Sequence, residues 1–479
     1  MGRDYGLIGR QTEIERLEKA YASSRSEFVA LYGRRRVGKT FLIEQVFKER
    51  MVFKHTGSYK MTKALLLQRF YTALNKQGAK LSRPFSSWDE AFAALGDFLN
   101  ASQAERKVVF IDEMPWMDTP RSGFVSALEY FWNTFAVPRQ DILLIICGSA
   151  SSWIISKVLK NRGGLHNRVT CRINLAPFTL AECELFSEKC LLRYSRQQIV
   201  DAYMVFGGIP FYWSKFEAGK SVMQNVSSLC FAENGELRYE YNEIYASQFE
   251  SPEKYYRIIA ELGRKKKGMT RAELIMATGL TSNGQISTML ENLCECGFIR
   301  RYSQLFNRKK DAVYQLMDNF TLFYFAFMAD RANLDEESFR MLMHSSSYIA
   351  WQGRAFERVC MQHVRELKKA LGIAGIISDV CAWQGKEKDG VPGAQIDLLI
   401  ARSDNIVDLC EMKYTDQPYA ITGRYWKTLE NKRRRLAMEV PEKQSIHIVM
   451  VCPYGIKVNQ FSDSVTRVVS LDSLFDAAR

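Results

Sequence analysis

The sequence lacks the features that would place it in several large classes at once. No apolar run approaches the ~18 residues that a membrane-spanning helix needs. The most apolar region, 142–155, is interrupted by Gly148, Ser149, Ser151 and Ser152. The opening Met1-Gly2-Arg3-Asp4-Tyr5 has no apolar secretory core, and Gly6 stands where a myristoylation signal needs Ser or Thr. Membrane partners are therefore not expected. The 11 cysteines are scattered among apolar neighbours, and Cys294 and Cys296 form a lone C-x-C without a second pair or a nearby histidine. That excludes a recognisable zinc motif and predicts reduced, buried thiols in a cytoplasmic protein. There is no internal repeat and no low-complexity tract.

What is present is length and positive charge. A chain of 479 residues accommodates about two to four domains. Lys and Arg number 66 against 53 Asp and Glu, giving a net charge of +13 and a pI near 9.1. An excess of this kind suits an anionic partner, nucleic acid ahead of a membrane surface, or else a basic solvated face.

The first 150 residues alternate apolar, strand-like runs (27–32, 52–55, 108–112, 142–147) with segments of helical spacing (40–50, 61–75, 88–99, 123–135). Such alternation predicts a mostly parallel sheet covered by helices. Between the first strand and the first helix stands Gly33-Arg34-Arg35-Arg36-Val37-Gly38-Lys39-Thr40, matching G-x-x-x-x-G-K-[ST]. Glycines let backbone N–H groups turn around phosphate oxygens, and the following helix offers its positive end to the anion. Lys39 reaches the β and γ phosphates of ATP, and the Thr40 hydroxyl serves Mg²⁺. The run Val108–Asp112 ends in the acidic pair Asp112-Glu113. At the carboxyl edge of a sheet, Asp112 is placed to hold Mg²⁺ and Glu113 to orient the attacking water. ATP binding and hydrolysis follow as the expectation.

Together with Arg10 in Ile8-Gly9-Arg10-Gln11-Thr12-Glu13, these motifs resemble the AAA+ ATPases, and most of all their prokaryotic signal-transduction branch. The resemblance implies a γ-phosphate sensor at Ser149, after Gly148. It implies an arginine finger at Arg168, within Gly163-Gly164-Leu165-His166-Asn167-Arg168, and a helical lid around Gly207-Gly208-Ile209-Pro210. Arg168 can equally cap a helix or pair with a surface acid. A finger acting in trans requires a homo-oligomer, whereas one acting in cis does not.

Three helical segments followed by strands at 298–302 and 312–316 describe a winged helix-turn-helix over 251–318. Thr281, Ser282, Asn283, Gln285 and Ser287 open its third helix. Arg264-Lys265-Lys266-Lys267 and Arg308-Lys309-Lys310 flank it. This face suits DNA phosphates, or the module serves packing and protein contact. An aromatic-rich connector (319–350) should pack between domains.

In the last region, 351–479, strand-like runs lie at 373–380, 395–400, 406–412 and 446–452. Asp397 is followed 14 residues later by Glu411-Met412-Lys413, and Glu357 lies on the helix ahead. Adjacent strands would gather Asp397 and Glu411 around Mg²⁺ with Lys413 beside the attacking water. Other E-x-K triplets, at 105–107, 366–368 and 430–432, have no aspartate-tipped strand before them. The order resembles the PD-(D/E)XK nucleases, without the proline of that name. Either the domain cuts DNA, or it is a degenerate fold used for binding. Lys432-Arg433-Arg434-Arg435 can meet a phosphate backbone or form a solvated face.

The predicted architecture is thus α/β. An AAA+-like P-loop core (1–178) is followed by a helical lid (179–250), a winged helix (251–318), the connector, and a restriction-endonuclease-like domain (351–479). The predicted function is an ATP-hydrolysing switch coupled to nucleic-acid binding or cleavage. The alternative is a DNA-binding or signalling ATPase with an inactive terminal domain.

Overall fold

The computed structural model describes residues 6–149, 151–160, 163–246, 248–249, 251–302, 305, 312–329 and 335–476. The chain divides into two compact units. One runs to Pro177 and includes Glu295–Gly297, and the other comprises Phe178–Cys294 and Phe298–Arg479.

The first unit is built on five parallel strands, β1 (Glu27–Tyr32), β2 (Met51–Thr56), β3 (Lys107–Asp112), β4 (Ile142–Gly148) and β5 (Cys171–Asn174), in the order β2-β3-β4-β1-β5. β3 and β4 are buried along their whole length, which is why both read as unbroken apolar runs: helices cover each face. One face packs on an aromatic layer that includes Phe70, Trp88, Phe92, Phe124 and Phe131. Trp88 meets Phe124 edge-on at 4.9 Å. Burying each such ring contributes about 2–3 kcal/mol. The order has one functional consequence: β4 lies between β1 and β3, so its end separates the phosphate loop from the acidic pair.

The second unit begins with helices Leu180–Lys189 and Arg196–Phe206, each opened by a capping box, Thr179 with Glu182 and Ser195 with Gln198. The Gly207-Gly208-Ile209-Pro210 motif is a close backbone crossing. The Phe178 amide donates to the Gly208 carbonyl at 2.6 Å, and a Cβ on Gly208 would stand 1.8 Å from the Phe178 carbonyl oxygen. Only glycine fits there.

Helices Pro252–Arg264, Arg271–Thr278 and Gly284–Glu295 then surround an antiparallel sheet of β6 (Met269–Thr270), β7 (Ile299–Tyr302) and β8 (Val313–Leu316), ordered β6-β8-β7. The two-residue β6 is too short to have a periodicity, so the sequence pattern did not reveal it. Arg308-Lys309-Lys310 lies outside the described residues. The connector contains the helix Asn319–Phe327, whose Phe320 stacks near Phe206 and Tyr212 and whose Phe323 meets Phe231.

After the helix Ser346–Gln362 comes a mixed sheet ordered β13-β12-β11-β10-β9. Its strands are β9 (Ser378–Gly385), β10 (Ala394–Arg402), β11 (Ile406–Met412), β12 (Ser445–Val451) and β13 (Arg467–Val469). β9, β10 and β11 are antiparallel neighbours. The helix Gly423–Ala437 returns the chain so that β12 lies parallel to β11 and β13 parallel to β12. The strand expected at 373–380 begins only at Ser378, because turns around Gly372 and Gly375 interrupt the apolar run and leave Ile377 82% exposed. No helix among the described residues is long and apolar enough to cross a membrane. The cysteines are all unbridged.

Candidate functional site

The loop 33–40 leaves β1 and enters the helix Lys39–Phe47. Gly33 adopts φ +140°, and a Cβ there would lie 2.5 Å from the Leu175 carbonyl oxygen beyond β5. A side chain is excluded both by conformation and by space. Lys39 is buried, and its ammonium donates to the carbonyls of Gly33 and Arg34, each at 2.8 Å. The cation is therefore folded into the loop by backbone oxygens that a phosphate tail can replace. Arg34 and Val37 are buried, while Arg35, Arg36 and Gly38 are half-buried. Arg10 is buried with a left-handed backbone and donates to the Val37 carbonyl at 3.4 Å. This bond ties the Arg10 side chain to the loop.

Thr40 Oγ1 donates to Asp112 Oδ2 at 2.7 Å, and Asp112 Oδ1 accepts the Glu113 amide at 2.9 Å. A hydroxyl and a carboxylate held together at a sheet edge are the hard oxygen donors that suit Mg²⁺. Beyond Asp112 the chain turns sharply, with Glu113 at φ 46°. Left-handed backbone at a non-glycine residue costs about 1 kcal/mol or more. Here it points the Glu113 carboxylate toward β4, where Oε2 accepts from the Ser149 amide at 3.2 Å and its hydroxyl at 2.9 Å. Arg36, in the phosphate loop, shares this conformation at φ 71°. Thus Arg10, the loop, Thr40, Asp112, Glu113 and Ser149 all meet at the carboxyl edge of one sheet. Arg168 occupies an exposed turn, its amide bonded to the Leu165 carbonyl at 3.1 Å.

The second unit carries the other candidate residues. The antiparallel register pairs Leu398 with Cys410, the residues next to Asp397 and Glu411 on neighbouring strands. Glu357 stands near both: burial pushes its carboxyl up to about 7, Asp397 and Glu411 push further in the same direction, and Lys413 and Lys432 oppose them. Several of the oxygens are bonded within the protein. Glu411 is buried, ion-paired with Lys432 and bonded by the Tyr425 hydroxyl at 2.9 Å. Asp397 accepts from Gln395 at 2.7 Å, and the Lys413 ammonium lies 4.6 Å over the Tyr425 ring. Among the described residues no three His, Cys, Asp or Glu side chains are grouped to hold a metal. The expected site of Glu357, Asp397 and Glu411 is therefore a mixed acid–lysine cluster in this structure. Tyr425 had no signal in the sequence. Lys432 was visible only as part of a basic run.

That run is split by helical geometry, since successive residues turn about 100°. Lys432 faces Glu411 and Arg433 pairs with Glu430, while the buried Arg435 bonds the Lys386 carbonyl and Glu439. It is not a single phosphate-contacting face. By contrast, Thr281, Ser282, Asn283 and Gln285 are exposed. Arg271 reaches Ser287 at 3.0 Å and Lys254 reaches Gln285 at 3.2 Å, so two cations flank this helix start.

Residues 7–216 match the family model of an ATPase domain predominantly from Archaea. An uncharacterized protein of Methanocaldococcus jannaschii, MJECL04, is 24% identical over 447 residues, covering 91% of this chain and 94% of that one. A second protein of that organism, the uncharacterized ATP-binding protein MJ0423, is 37% identical over 51 residues, 10% of this chain and 86% of its own length. Among solved structures, the Walker-type ATPase paby2304 of Pyrococcus abyssi superposes with a TM-score of 0.49 at 18% identity, covering 68% of this chain and 97% of that chain.

Proposed function

We propose, from the premise that this chain carries a prokaryotic AAA+-type P-loop ATPase domain and is an ATPase, that its nucleotide cycle switches the handling of nucleic acid by its second unit. The observation that carries the ATPase chemistry is the joining of Thr40 to Asp112 and of Glu113 to Ser149 at one sheet edge. In this reading Lys39 exchanges its carbonyl partners for the β and γ phosphates. Thr40 and Asp112 are the residues to hold Mg²⁺, which when bound offsets the triphosphate charge. Glu113 orients and polarises the attacking water, and Ser149 senses the γ phosphate by competing for the same carboxylate. Arg168, exposed on its turn, is the candidate finger, supplied in trans within a homo-oligomer or in cis.

The net charge of +13 and the exposed helix start at 281–285 between Lys254 and Arg271 support a DNA partner for the winged-helix region. The order helix, three antiparallel strands, helix, parallel strand in the last region supports a PD-(D/E)XK-like domain, with Asp397 and Glu411 on neighbouring strands. A second reading has its own observation: the Lys432–Glu411 pair and the Tyr425 hydroxyl leave that domain set for binding without cutting. Plasmid incubated with Mg²⁺ or Mn²⁺, with and without ATP, separates the two. Cleavage lost in Asp397→Ala and Lys413→Ala establishes a nuclease. Intact plasmid under every nucleotide, together with salt-dependent DNA affinity, establishes the binding reading. Absence of any DNA affinity would reject both and leave a signalling or scaffold ATPase.

A further inference from the structure

Beside Asp397 lies a cavity of about 600 Å³ within the second unit, bounded by the segment 262–267, the Asn319–Phe327 helix and the Ser346–Gln362 helix. Its charged lining is uneven. Lys266, Lys267, Arg354 and Arg358 face Glu357 and Asp397. Arg358 is only 9% exposed; one nitrogen donates to the Arg354 carbonyl at 3.2 Å, while Nε and Nη2 have no hydrogen-bond partner among the described residues. The indole N–H of Trp351, 4% exposed on the same wall, is likewise unpartnered among them. Buried donors without acceptors are unfavourable, and beside the exposed Lys266 and Lys267 they suit an anion with several oxygens. The cationic segment is held in place, not loosely draped. Gln315 donates to the Lys266 carbonyl at 2.9 Å and Tyr302 to the Lys267 carbonyl at 2.8 Å.

Two further features define that anion. A second cavity of about 320 Å³ shares Lys267, Gln315, Gln395 and Asp397 with the first, and adds Arg300 and an ion pair, Lys265 with Glu273 at 2.8 Å. Lys267 and Arg300 thus extend the cationic lining from one cavity into the other, as a polymer requires and a lone phosphate does not. The larger cavity is also lined by the half-buried Phe325, with the buried Phe327 and Trp351 behind the surface. Cations beside an aromatic ring suit a single strand, whose bases stack while its backbone is neutralised. A duplex, whose major groove alone is about 12 Å wide, does not enter cavities of this size.

We propose that these joined cavities form a single-strand nucleic-acid channel that leads the phosphodiester backbone past Asp397, with Lys266, Lys267 and Arg358 as its phosphate contacts. The proposal rests on the nucleic-acid reading above and narrows its substrate class to single strands. It is tested on the full chain, in EDTA so that no cutting intervenes, by fluorescence anisotropy with labelled oligothymidylate. Lys266→Gln/Lys267→Gln should bind roughly tenfold more weakly, with the log–log salt slope reduced by about 1.4 for two lost single-strand contacts. Arg358→Met should weaken binding similarly and Arg358→Lys restore part of it. If the buried Met variant fails to fold, the exposed lysine pair decides alone. Unlabelled duplex and inorganic phosphate should compete poorly. Unchanged affinity and slope in the lysine variant, or inorganic phosphate competing as well as the oligonucleotide, would overturn the channel. If the wild type instead binds duplex and the lysine variant binds it equally well, only this inference falls. If the wild type binds no nucleic acid, the underlying reading falls with it.

Discussion

The hydroxyl of Ser149 donates to the carboxylate of Glu113 at 2.9 Å, tying together the ends of β4 and β3. The two residues are 36 positions apart and meet only because β4 inserts between β1 and β3. The bond gives the Glu113 carboxylate a defined position, at the cost of a left-handed turn at Glu113.

Replacing Glu113 by Gln keeps the amide bonds around the turn but removes the carboxylate proposed to polarise the water. ATP affinity should persist while turnover falls at least about a hundredfold. Ser149→Ala, which deletes one hydrogen bond to a charged group, should lower kcat by roughly tenfold with KM little changed. Single-turnover and steady-state phosphate release measure both. Normal turnover in Glu113→Gln would remove that residue from its assigned role.

Lys39 sits inside the loop, held by two carbonyls. Lys39→Ala should fold normally and lose most ATP affinity, since the loop keeps its backbone amides but not its compensating charge. Isothermal calorimetry reads this directly. Wild-type-like binding of any nucleotide by the variant would show that the phosphates bind elsewhere.

The Lys432–Glu411 pair is nearly dry, with side-chain exposures of 17% and 8%. Lys432→Met leaves a buried carboxylate facing Asp397 and Glu357, and should cost about 3 kcal/mol of stability. The double variant Lys432→Met/Glu411→Met should recover most of it. Thermal or urea unfolding decides. A single variant as stable as the wild type would mean that the pair contributes nothing to the fold.

His55 on β2 is buried beside Phe70, and desolvation first, then the charge of Arg69, lowers its imidazole to about 4. Folding therefore requires the neutral ring. Its contribution is complete above the unfolded value of about 6.5 and is lost as pH falls from there towards 4. At pH 5 the loss should reach about 2 kcal/mol. His55→Phe should flatten this part of the acid profile of unfolding. An unchanged slope in the variant would assign the pH dependence to other groups.

What the sequence by itself determined is the chemistry carried on contiguous residues: the phosphate loop, the acidic pair after an apolar strand, and the alternation that makes a covered parallel sheet. Local spacing suffices there, because loop, strand and helix follow one another without a gap. It also located most helices and strands of the second unit, where periodicity is strong. The tertiary structure alone decided who partners whom. Sheet order brought Ser149 to Glu113, and a helix crossing turned Lys432 and Tyr425 onto Glu411. Side-chain burial left Arg358 facing a cavity beside Asp397. Such pairings depend on strand order, register and the rotational phase of distant helices, which a linear pattern of residue types does not encode at any one place.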